Sequence, residues 1–392
     1  MNEPNALAEA RYLKTPAAIR ERCAAIFELC RAGELESFRL DESRLPDVAR
    51  HVVDVTRAAY PDVRRVPYHS RWRHFAAGGV DRARIFEEKL TGCDEVERLR
   101  RRFELVILSV LLDAGAGSAW SYRAADGRSY ARSEGLAVAS FDWFMSQDAQ
   151  PALEAIDSET LGRAFQVTTN NPLVGVEGRA ALLGRLARVV ADDSRHFAGG
   201  RLGELGVFLS TQARGAALPA RAVLSAVLDA LGPIWPGRES LAGQNLGDVW
   251  AHPQVGLVPF HKLSQWLSYS LCETLELSGV KVSDLDELTG LAEYRNGGLF
   301  IDGGVLVPRA ESLLERAHPV SSRLVVEWRA LTVALLDRTA EEVRRLLGLG
   351  REELPLACVL EGGTWAAGRA LAFAKRKDGA PPLRVQSDGT VF

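Results

Sequence analysis

A dense group of basic and aromatic side chains lies in the segment Val66 to Phe75. Within ten positions it carries His69, Arg71, Trp72, Arg73 and His74. Arginine side chains bind phosphate or carboxylate through paired hydrogen bonds, and an indole ring packs against a planar ligand. The composition therefore predicts either a binding site for an anionic ligand or a solvated basic face with a buried aromatic anchor. The two histidines are five positions apart and would not share a helical face, so no metal site is expected here.

A second polar group occurs near residue 262, in a predicted helix that is otherwise apolar. Lys262, Gln265 and Tyr269 lie at positions i, i+3 and i+7 and therefore share one helical face. A lysine is costly to bury unless a carboxylate pairs with it, and Asp286 and Glu293 are the nearest strong candidates. Two interpretations stay open at this point, a chemically active lysine and acid, or a surface lysine with a structural ion pair.

Two glycine-containing segments add further candidates. Asp113 ends an apolar stretch and is followed by alternating glycines, but the segment lacks both a preceding strand and a Gly-Lys-Ser ending. We therefore expect no nucleotide-phosphate loop there, although Asp113 can still line a site. Near the end of the chain, Gly362 and Gly363 predict a close backbone approach. If a helix continues from Thr364, then Glu361, Trp365 and Arg369 can share one side, with packing of the glycines as the alternative explanation.

Helical periodicity dominates the elements that must position these residues. Predicted helices begin at residues 15, 41, 94, 133, 177 and 219, each with one apolar stripe. Alternation of period two is almost confined to residues 297–307 and 383–392, where short strands or a hairpin are predicted. The sequence therefore predicts a mostly α, multi-helix globular fold with a few short β segments. Prolines and glycines cluster at residues 232–247, and we divide the chain there into regions 1–235 and 236–392.

Composition narrows the class of protein. The 392 residues include 48 basic and 51 acidic side chains, a net charge of −3, so binding to nucleic acid is not expected. No apolar run reaches the ~20 residues of a membrane span, and no secretory signal is visible, which predicts a cytoplasmic protein without a membrane partner. Five scattered cysteines without a CxxC pair predict buried, reduced thiols.

Five motifs in order carry a resemblance to a known family. They are VPYHSRWRHF at 66–75, LDAGAG at 112–117, NNPLVG at 170–175, LAEYRNGGLF at 291–300 and EGGTWAAGR at 361–369. From about residue 12 to residue 392 the chain closely resembles the uracil-catabolism protein family of a pyrimidine-degradation route that proceeds through phosphoribosyl compounds. The resemblance implies a small nucleotide-derived substrate, such as a ribosyl-urea phosphate.

A fainter resemblance, covering about a quarter of the chain, implies a mechanism. Lys262-x-x-Gln265, Asp286-x-Leu288-Thr289, residues 292–295 and residues 304–306 look like the core of the queuosine-salvage N-glycosidases, which share their architecture with helix-hairpin-helix DNA glycosylases. Those enzymes use a lysine and an acid, and Lys262 and Glu293 occupy the matching positions. The acid here is Glu rather than Asp, and Ser270 replaces an aspartate of the lysine's helix.

Together the resemblances imply a hydrolase that cleaves an N-glycosidic bond of a ribose 5-phosphate derivative without a cofactor or a metal. Glu293 and Lys262 are its expected catalytic residues. We expect the substrate to be held by side chains from the segments described above, which are His69, Arg71, Trp72, Arg73, His74, Asp113, Gln265, Asp286, Tyr294, Arg295, Trp365 and Arg369. The alternatives are a urea or amide C–N hydrolase of the same pathway, for which no GxSxG or HExxH motif is visible, and a helical module that binds nucleotides or nucleic acid without catalysis. No oligomeric state is predicted.

Overall fold

Helices form most of the protein in the computed structural model, which describes residues 3–113, 115–117, 119–147, 153–213, 215, 217–235 and 239–386. The α-helices are α1 (Glu3–Tyr12), α2 (Pro16–Arg31), α3 (Leu45–Ala59), α4 (Arg71–Phe75), α5 (Arg82–Lys89), α6 (Glu95–Leu111), α7 (Arg132–Met145), α8 (Ser158–Ala164), α9 (Val176–Asp192), α10 (Glu204–Ala213), α11 (Ala220–Leu231), α12 (Lys262–Leu277), α13 (Tyr294–Asp302), α14 (Ser312–Glu315), α15 (Arg323–Leu347), α16 (Leu356–Val359) and α17 (Trp365–Lys375).

The described strands are short and join two by two. The pairs are β1 (Phe38–Leu40) with β10 (Leu306–Pro308), β2 (Ser121–Arg123) with β3 (Ser129–Ala131), β4 (Leu218–Pro219) with β9 (Val282–Ser283), β5 (Ser240–Leu241) with β6 (Gln244–Asn245), β7 (Val249–His252) with β8 (Gly256–Pro259), and β11 (Ala317–Pro319) with β12 (Arg384–Gln386). The pairs β4–β9 and β11–β12 are parallel and the others antiparallel. The predicted mostly α fold with a few short β segments is confirmed.

Helix starts follow the capping residues that the sequence shows. Thr15 caps α2 with its side-chain oxygen on the N–H of Ala18, and Pro16 occupies the first helical position. Asp94 caps α6 in the same way through the N–H of Glu97. All five cysteines are free thiols, and four of them are buried. In the described part of the chain, no helix is both long enough and apolar enough to cross a bilayer.

The predicted strand over residues 297–302 is wrong, because those residues continue helix α13. The glycines there serve packing rather than extension. A Cβ atom on Gly297 would lie 2.6 Å from the indole of Trp328, which is buried on α15. The expected strand does form further along, as β10. Of the predicted tail strand, Arg384–Gln386 forms β12 and the last six residues lie outside the described part of the chain.

The chain forms two compact units. The first unit combines Met1–His69, Gly237–Trp266 and Asp284–Phe392, and the second combines Ser70–Pro236 with Leu267–Ser283. The division predicted from the sequence, between residues 235 and 236, lies beside one of the four points where the chain passes from one unit to the other.

The first unit is built around the 25-residue helix α15, which packs against α2, α3 and α13. Helix α17 lies across α13 at very close range. A Cβ atom on Gly368 would approach the carbonyl oxygen of Arg295 to 2.1 Å, so only glycine permits this crossing. The second unit is built around the apolar second half of α6, which packs against α7 and α10.

Candidate active site

Glu293 lies at the N-terminus of α13 in the first unit, and its carboxylate is buried. Its two oxygens accept hydrogen bonds from the backbone N–H groups of Arg295, at 2.8 Å, and Asn296, at 2.5 Å. These bonds satisfy two of the donors that a helix start leaves open and place the carboxylate at the positive end of the helix dipole. Each oxygen keeps a second lone pair for another partner. The local fold therefore holds a carboxylate rigidly without using up its acceptor capacity.

Two cations act on this carboxylate. Burial raises the pKa of Glu293 above its ordinary value, while the positive charge of Lys262, the two backbone N–H groups and the charge of His69 oppose that rise. A carboxylate with a raised pKa is a stronger base than an exposed one. The lysine and the acid singled out in the sequence are thus electrostatic partners in the same unit.

Lys262 is the first residue of α12 and is half-buried. Its ammonium nitrogen lies 5.9 Å from the centre of the Trp266 ring, one helical turn further along. The backbone just before it is unusual, because His261 has a φ of +47° in the left-handed region. For a residue other than glycine such a conformation costs ~1–3 kcal/mol and tends to occur at functional sites. The buried imidazole of His261 holds it in place with a 2.9 Å hydrogen bond to the carbonyl oxygen of Leu13.

A buried ion pair joins the segments that carry Lys262 and Glu293. Asp248 accepts two hydrogen bonds from the guanidinium of Arg329, at 2.7 and 2.8 Å, and a third from the backbone N–H of Lys262 at 3.0 Å. The Nε–H of the same arginine donates to the carbonyl oxygen of Ala292, the residue before Glu293, at 3.2 Å. Burial alone would raise the pKa of Asp248, but Arg329 holds it well below its usual range. The Asp248–Arg329 pair therefore connects the segments that carry Lys262 and Glu293 to the core helix α15.

His69 belongs to the same cluster and is oriented by a carboxylate. Its Nδ1 lies 2.8 Å from Oε2 of Glu361, and the hydroxyl of Tyr60 donates to Oε1 of Glu361 at 3.1 Å. The His69 backbone is fixed by a 2.9 Å hydrogen bond to the carbonyl oxygen of Ala357. The centre of its ring lies 6.4 Å from that of Trp266. We refer to Tyr60, His69, Lys262, Trp266, Glu293 and Glu361 as the Glu293 cluster.

Glu361 is presented by a π-helical turn, Leu360–Thr364, between α16 and α17. The predicted close approach of the double glycine is confirmed, and the surface it approaches is α3. A Cβ atom on Gly363 would lie 2.5 Å from Val52, and one on Gly362 would lie 2.9 Å from Thr56. Such turns are frequent at functional sites. The hydroxyl of Thr364 also bonds to the side chain of Asn296 at 2.9 Å, which links the turn to the start of α13.

Gln265 lies one turn after Lys262 and is fully buried. Its carbonyl oxygen accepts from the backbone N–H of Thr289 at 3.3 Å. Within the described residues its amide nitrogen has no hydrogen-bond partner. A buried donor of this kind is costly unless a ligand or a water completes it.

Asp286, the second candidate acid, is engaged elsewhere in the first unit. One oxygen accepts from the guanidinium of Arg344 and the other from the backbone N–H of Leu356, both at 2.6 Å. These bonds give Asp286 a structural role between the 3₁₀ turn of residues 285–287 and the helices α15 and α16.

The other first-unit candidates lie on α13 and α17. Arg295 donates to the carbonyl oxygen of Gly379 at 2.7 Å, and its guanidinium lies 5.1 Å from the ring centre of Tyr294. Arg369 lies 5.6 Å from the ring centre of Trp365, one turn before it. Both arginines thus pack over an aromatic ring, as a cation–π contact.

The remaining candidates belong to the second unit, where their polar atoms make internal contacts. Arg71 is fully buried and pairs with Asp113 at 2.5 Å. Trp72 donates to the hydroxyl of Thr274 at 3.0 Å, and Arg73 pairs with Glu273 at 2.6 Å. His74 is half-buried at the end of the same short helix. The basic segment that looked continuous in sequence is therefore split, with His69 in the first unit and the later residues in the second.

No group of three or more histidine, cysteine, aspartate or glutamate side chains among the described residues is arranged to hold a metal ion. The donors near Glu293 are instead bonded to protein groups, as Glu361 is to His69 and Tyr60.

Comparison with known proteins places the chain in a family. A family model described as "Protein of unknown function (DUF1688)" matches residues 12–392. The chain is 42% identical to Protein urg3 of Schizosaccharomyces pombe, over 95% of this chain and 96% of that protein. It is 35% identical to Uracil catabolism protein 4 of Lachancea kluyveri, over 97% of this chain and 98% of that protein. The chain therefore belongs to the DUF1688 family, and Protein urg3 and Uracil catabolism protein 4 are its relatives.

Proposed function

We propose that this protein acts in pyrimidine catabolism and hydrolyses the N-glycosidic bond of a ribose 5-phosphate derivative. The name of the relative Uracil catabolism protein 4, which aligns over almost the whole chain, supports the pathway. The observation that carries the reaction is the buried Glu293, held by two backbone N–H groups and acted on by the charges of Lys262 and His69.

Cleavage of a C–N glycosidic bond places opposite charges on its two halves. The sugar develops an oxocarbenium-like positive charge, and the bonding electron pair moves onto the departing nitrogen. A fixed carboxylate beside C1 stabilises the first charge and removes a proton from the attacking water. General-base help of this kind is typically worth ~10² to 10⁴-fold in rate. The water oxygen then bonds to C1, and the departing nitrogen takes up a proton.

Lys262 has a defined part in this scheme. Its positive charge lowers the pKa of Glu293 and so keeps enough of the carboxylate ionised to accept a proton from water. The amide nitrogen of Gln265, buried one turn away and unpartnered within the described residues, offers a donor to a substrate oxygen. A ribosyl-urea phosphate fits the scheme, with ribose 5-phosphate and a urea as products.

The deciding experiment is an assay of the purified protein with a ribosyl-urea phosphate, measuring free ribose 5-phosphate as reducing sugar. We expect Glu293→Gln to abolish turnover while the substrate still binds, because glutamine cannot accept the water proton. Asp302→Asn is the matched control, since Asp302 is a buried carboxylate at the other end of α13, paired with Arg376. We expect it to turn over substrate at close to the wild-type rate.

Three results would contradict the proposal. Release of ammonia or carbamate without reducing sugar would indicate the amide hydrolase instead. Near-normal turnover by Glu293→Gln would remove this carboxylate from the mechanism. Loss of turnover in Asp286→Asn together with retention in Glu293→Gln would assign the reaction to the other acid.

A further inference from the structure

The pairing of His69 with Glu361 has a consequence for the nitrogen that leaves. A carboxylate bound to one imidazole nitrogen fixes the ring's orientation and its tautomer. Here Nδ1–H is directed to Glu361 at 2.8 Å, and Tyr60 binds the other oxygen of that carboxylate. If the imidazole of His69 gives a proton to a substrate atom, the proton must therefore come from Nε2.

We infer that His69 is the general acid of the proposed reaction and that it protonates the departing nitrogen through Nε2, with Glu361 as its positioning residue. This inference rests on the proposed function and makes it more specific. It assigns the substrate to the class of ribosides with a poor nitrogen leaving group, such as a urea or an amide nitrogen, whose departure requires protonation.

The position of the His69 ring beside Trp266 is consistent with the role of general acid. Its ring and the ammonium group of Lys262 both lie beside the indole of Trp266, with distances to the ring centre of 6.4 and 5.9 Å. Both side chains also oppose the burial-driven rise in the pKa of Glu293. A base and an acid of one reaction must act on the same bond, and His69 and Glu293 belong to the same unit.

The choice between the two cations follows from their chemistry. An imidazole gives up and regains a proton near neutral pH, whereas an ammonium group on lysine ordinarily keeps its proton until about pH 10. Imidazole is the side chain that most often serves as a general acid, so we assign the proton transfer to His69 and the electrostatic role to Lys262.

The protons balance over one cycle. Glu293 takes one proton from water as the water oxygen bonds to C1. The C–N bond breaks, its electron pair stays on nitrogen, and that nitrogen takes the Nε2 proton of His69. Glu293 then releases its proton and His69 regains one, through solvent, before the next turnover.

The test compares two substrates that differ in their need for an acid. One is a ribosyl-urea phosphate, and the other is a nitrophenyl riboside 5-phosphate, whose phenolate leaves without protonation. We expect His69→Gln to reduce kcat on the first substrate by ~10² to 10⁴-fold, the usual contribution of a general acid. On the nitrophenyl substrate its kcat should stay within about threefold of wild type, because no proton is needed there.

His196→Gln is the matched control. His196 is also buried, and its Nδ1 also bonds to a carboxylate, that of Asp193, at 2.6 Å, but it lies in the second unit. We expect this variant to act on both substrates as the wild type does. If His69→Gln fails to fold, Glu361→Gln takes its place, and we expect the same selective loss on the urea substrate with a smaller factor.

The outcomes separate the two proposals. If the wild type cleaves both substrates and the variants lose equal activity on both, His69 is not the acid and the inference is overturned while the glycosidase stands. If the wild type releases sugar from neither substrate, the proposed function fails and the inference fails with it.

Discussion

At the residue scale, Glu293 caps helix α13, and in the proposed reaction it is also the general base. As a helix cap it needs only the backbone N–H groups of Arg295 and Asn296. A cap requires no cation, yet the charges of Lys262 and His69 both act on the same carboxylate. These two cations are therefore the part of the arrangement that a structural role leaves unexplained.

The pH dependence of the proposed reaction follows from this environment. Glu293 must be ionised to act as a base, and its pKa is raised by burial. We therefore expect kcat/KM to fall on the acidic side with an apparent pKa above the ~4.3 of a free glutamate. Measurement of kcat/KM between about pH 4 and 9 checks this. An apparent pKa of the acidic limb of this pH profile at or below the value of a free glutamate would contradict it.

Removal of the positive charge of Lys262 should move the acidic limb of the pH profile to higher pH. Lys262 lowers the pKa of Glu293. In Lys262→Met the residual kcat/KM should therefore begin to fall, as the pH is lowered, at a higher pH than in the wild type. Lys262→Arg keeps the charge and should leave the limb close to the wild-type position. A Lys262→Met limb at the wild-type pH would show that the two side chains do not interact.

Individual site residues differed in how far the sequence could predict them. The sequence predicts Lys262 from a polar stripe in an apolar helix and Glu293 as one of two nearby acids, and the resemblance to a glycosidase core favours Glu293. The partnership of His69 with Glu361 could not be predicted, because 292 positions separate them. Asp248 and Arg329 carried no local signal, since a buried ion pair joins residues by tertiary contact rather than by spacing.

At the scale of elements, the π-helical turn at Leu360–Thr364 decides where Glu361 lies. Glycine is required in that turn because α3 approaches so closely that no side chain fits. The sequence predicted a close approach from the double glycine but not the partner surface. Helices with regular apolar stripes were predicted well, whereas the glycines of α13 were misinterpreted, because their function is contact with Trp328 rather than a turn.

Alanine in that turn should destabilise the protein. The added methyl group of Gly363→Ala would overlap the backbone oxygen and side chain of Val52, and overpacking of this kind costs ~1–3 kcal/mol. We also expect reduced turnover, because Glu361 moves with the turn. The measurement is the free energy of unfolding by urea, combined with the sugar-release assay.

Gly184→Ala provides the control for that variant. Gly184 lies inside α9, and nothing lies within 4 Å of the position of its Cβ. Alanine there should leave stability unchanged or raise it by up to ~1 kcal/mol. Equal stability losses in the two variants would contradict the explanation of the Gly363 contact.

At the scale of the whole molecule, the Glu293 cluster is assembled from all three chain segments of the first unit. The Asp248–Arg329 pair joins two of them. Because the pKa of Asp248 is held far below its unfolded value, the pair adds stability at pH values above about 4, and that contribution is lost as the pH falls further.

Asp248→Asn should therefore destabilise the first unit in a pH-dependent way. Removing one partner of a buried pair costs ~3–5 kcal/mol near neutral pH. We expect the difference from wild type to shrink as the pH falls below about 4, where the wild-type carboxylate begins to lose its advantage. Glu342→Gln, which breaks a more exposed pair with Arg345 on the same helix α15, should show a much smaller difference, because solvent screens that pair. A constant gap between Asp248→Asn and wild type over that pH range would contradict this account.

The three-segment make-up of the first unit also sets the order in which the protein matures on the ribosome. Its opening 69 residues are translated long before their partners in α13, α15 and α17. At the usual elongation rate of ~5–20 residues per second, synthesis from residue 69 to the end of α17 takes roughly 15 to 60 s. Meanwhile the apolar faces of α2 and α3 lack their partner α15, so newly made chains should depend on chaperones until α15 and α17 have been synthesised, and the proposed chemistry at Glu293 should not appear before then.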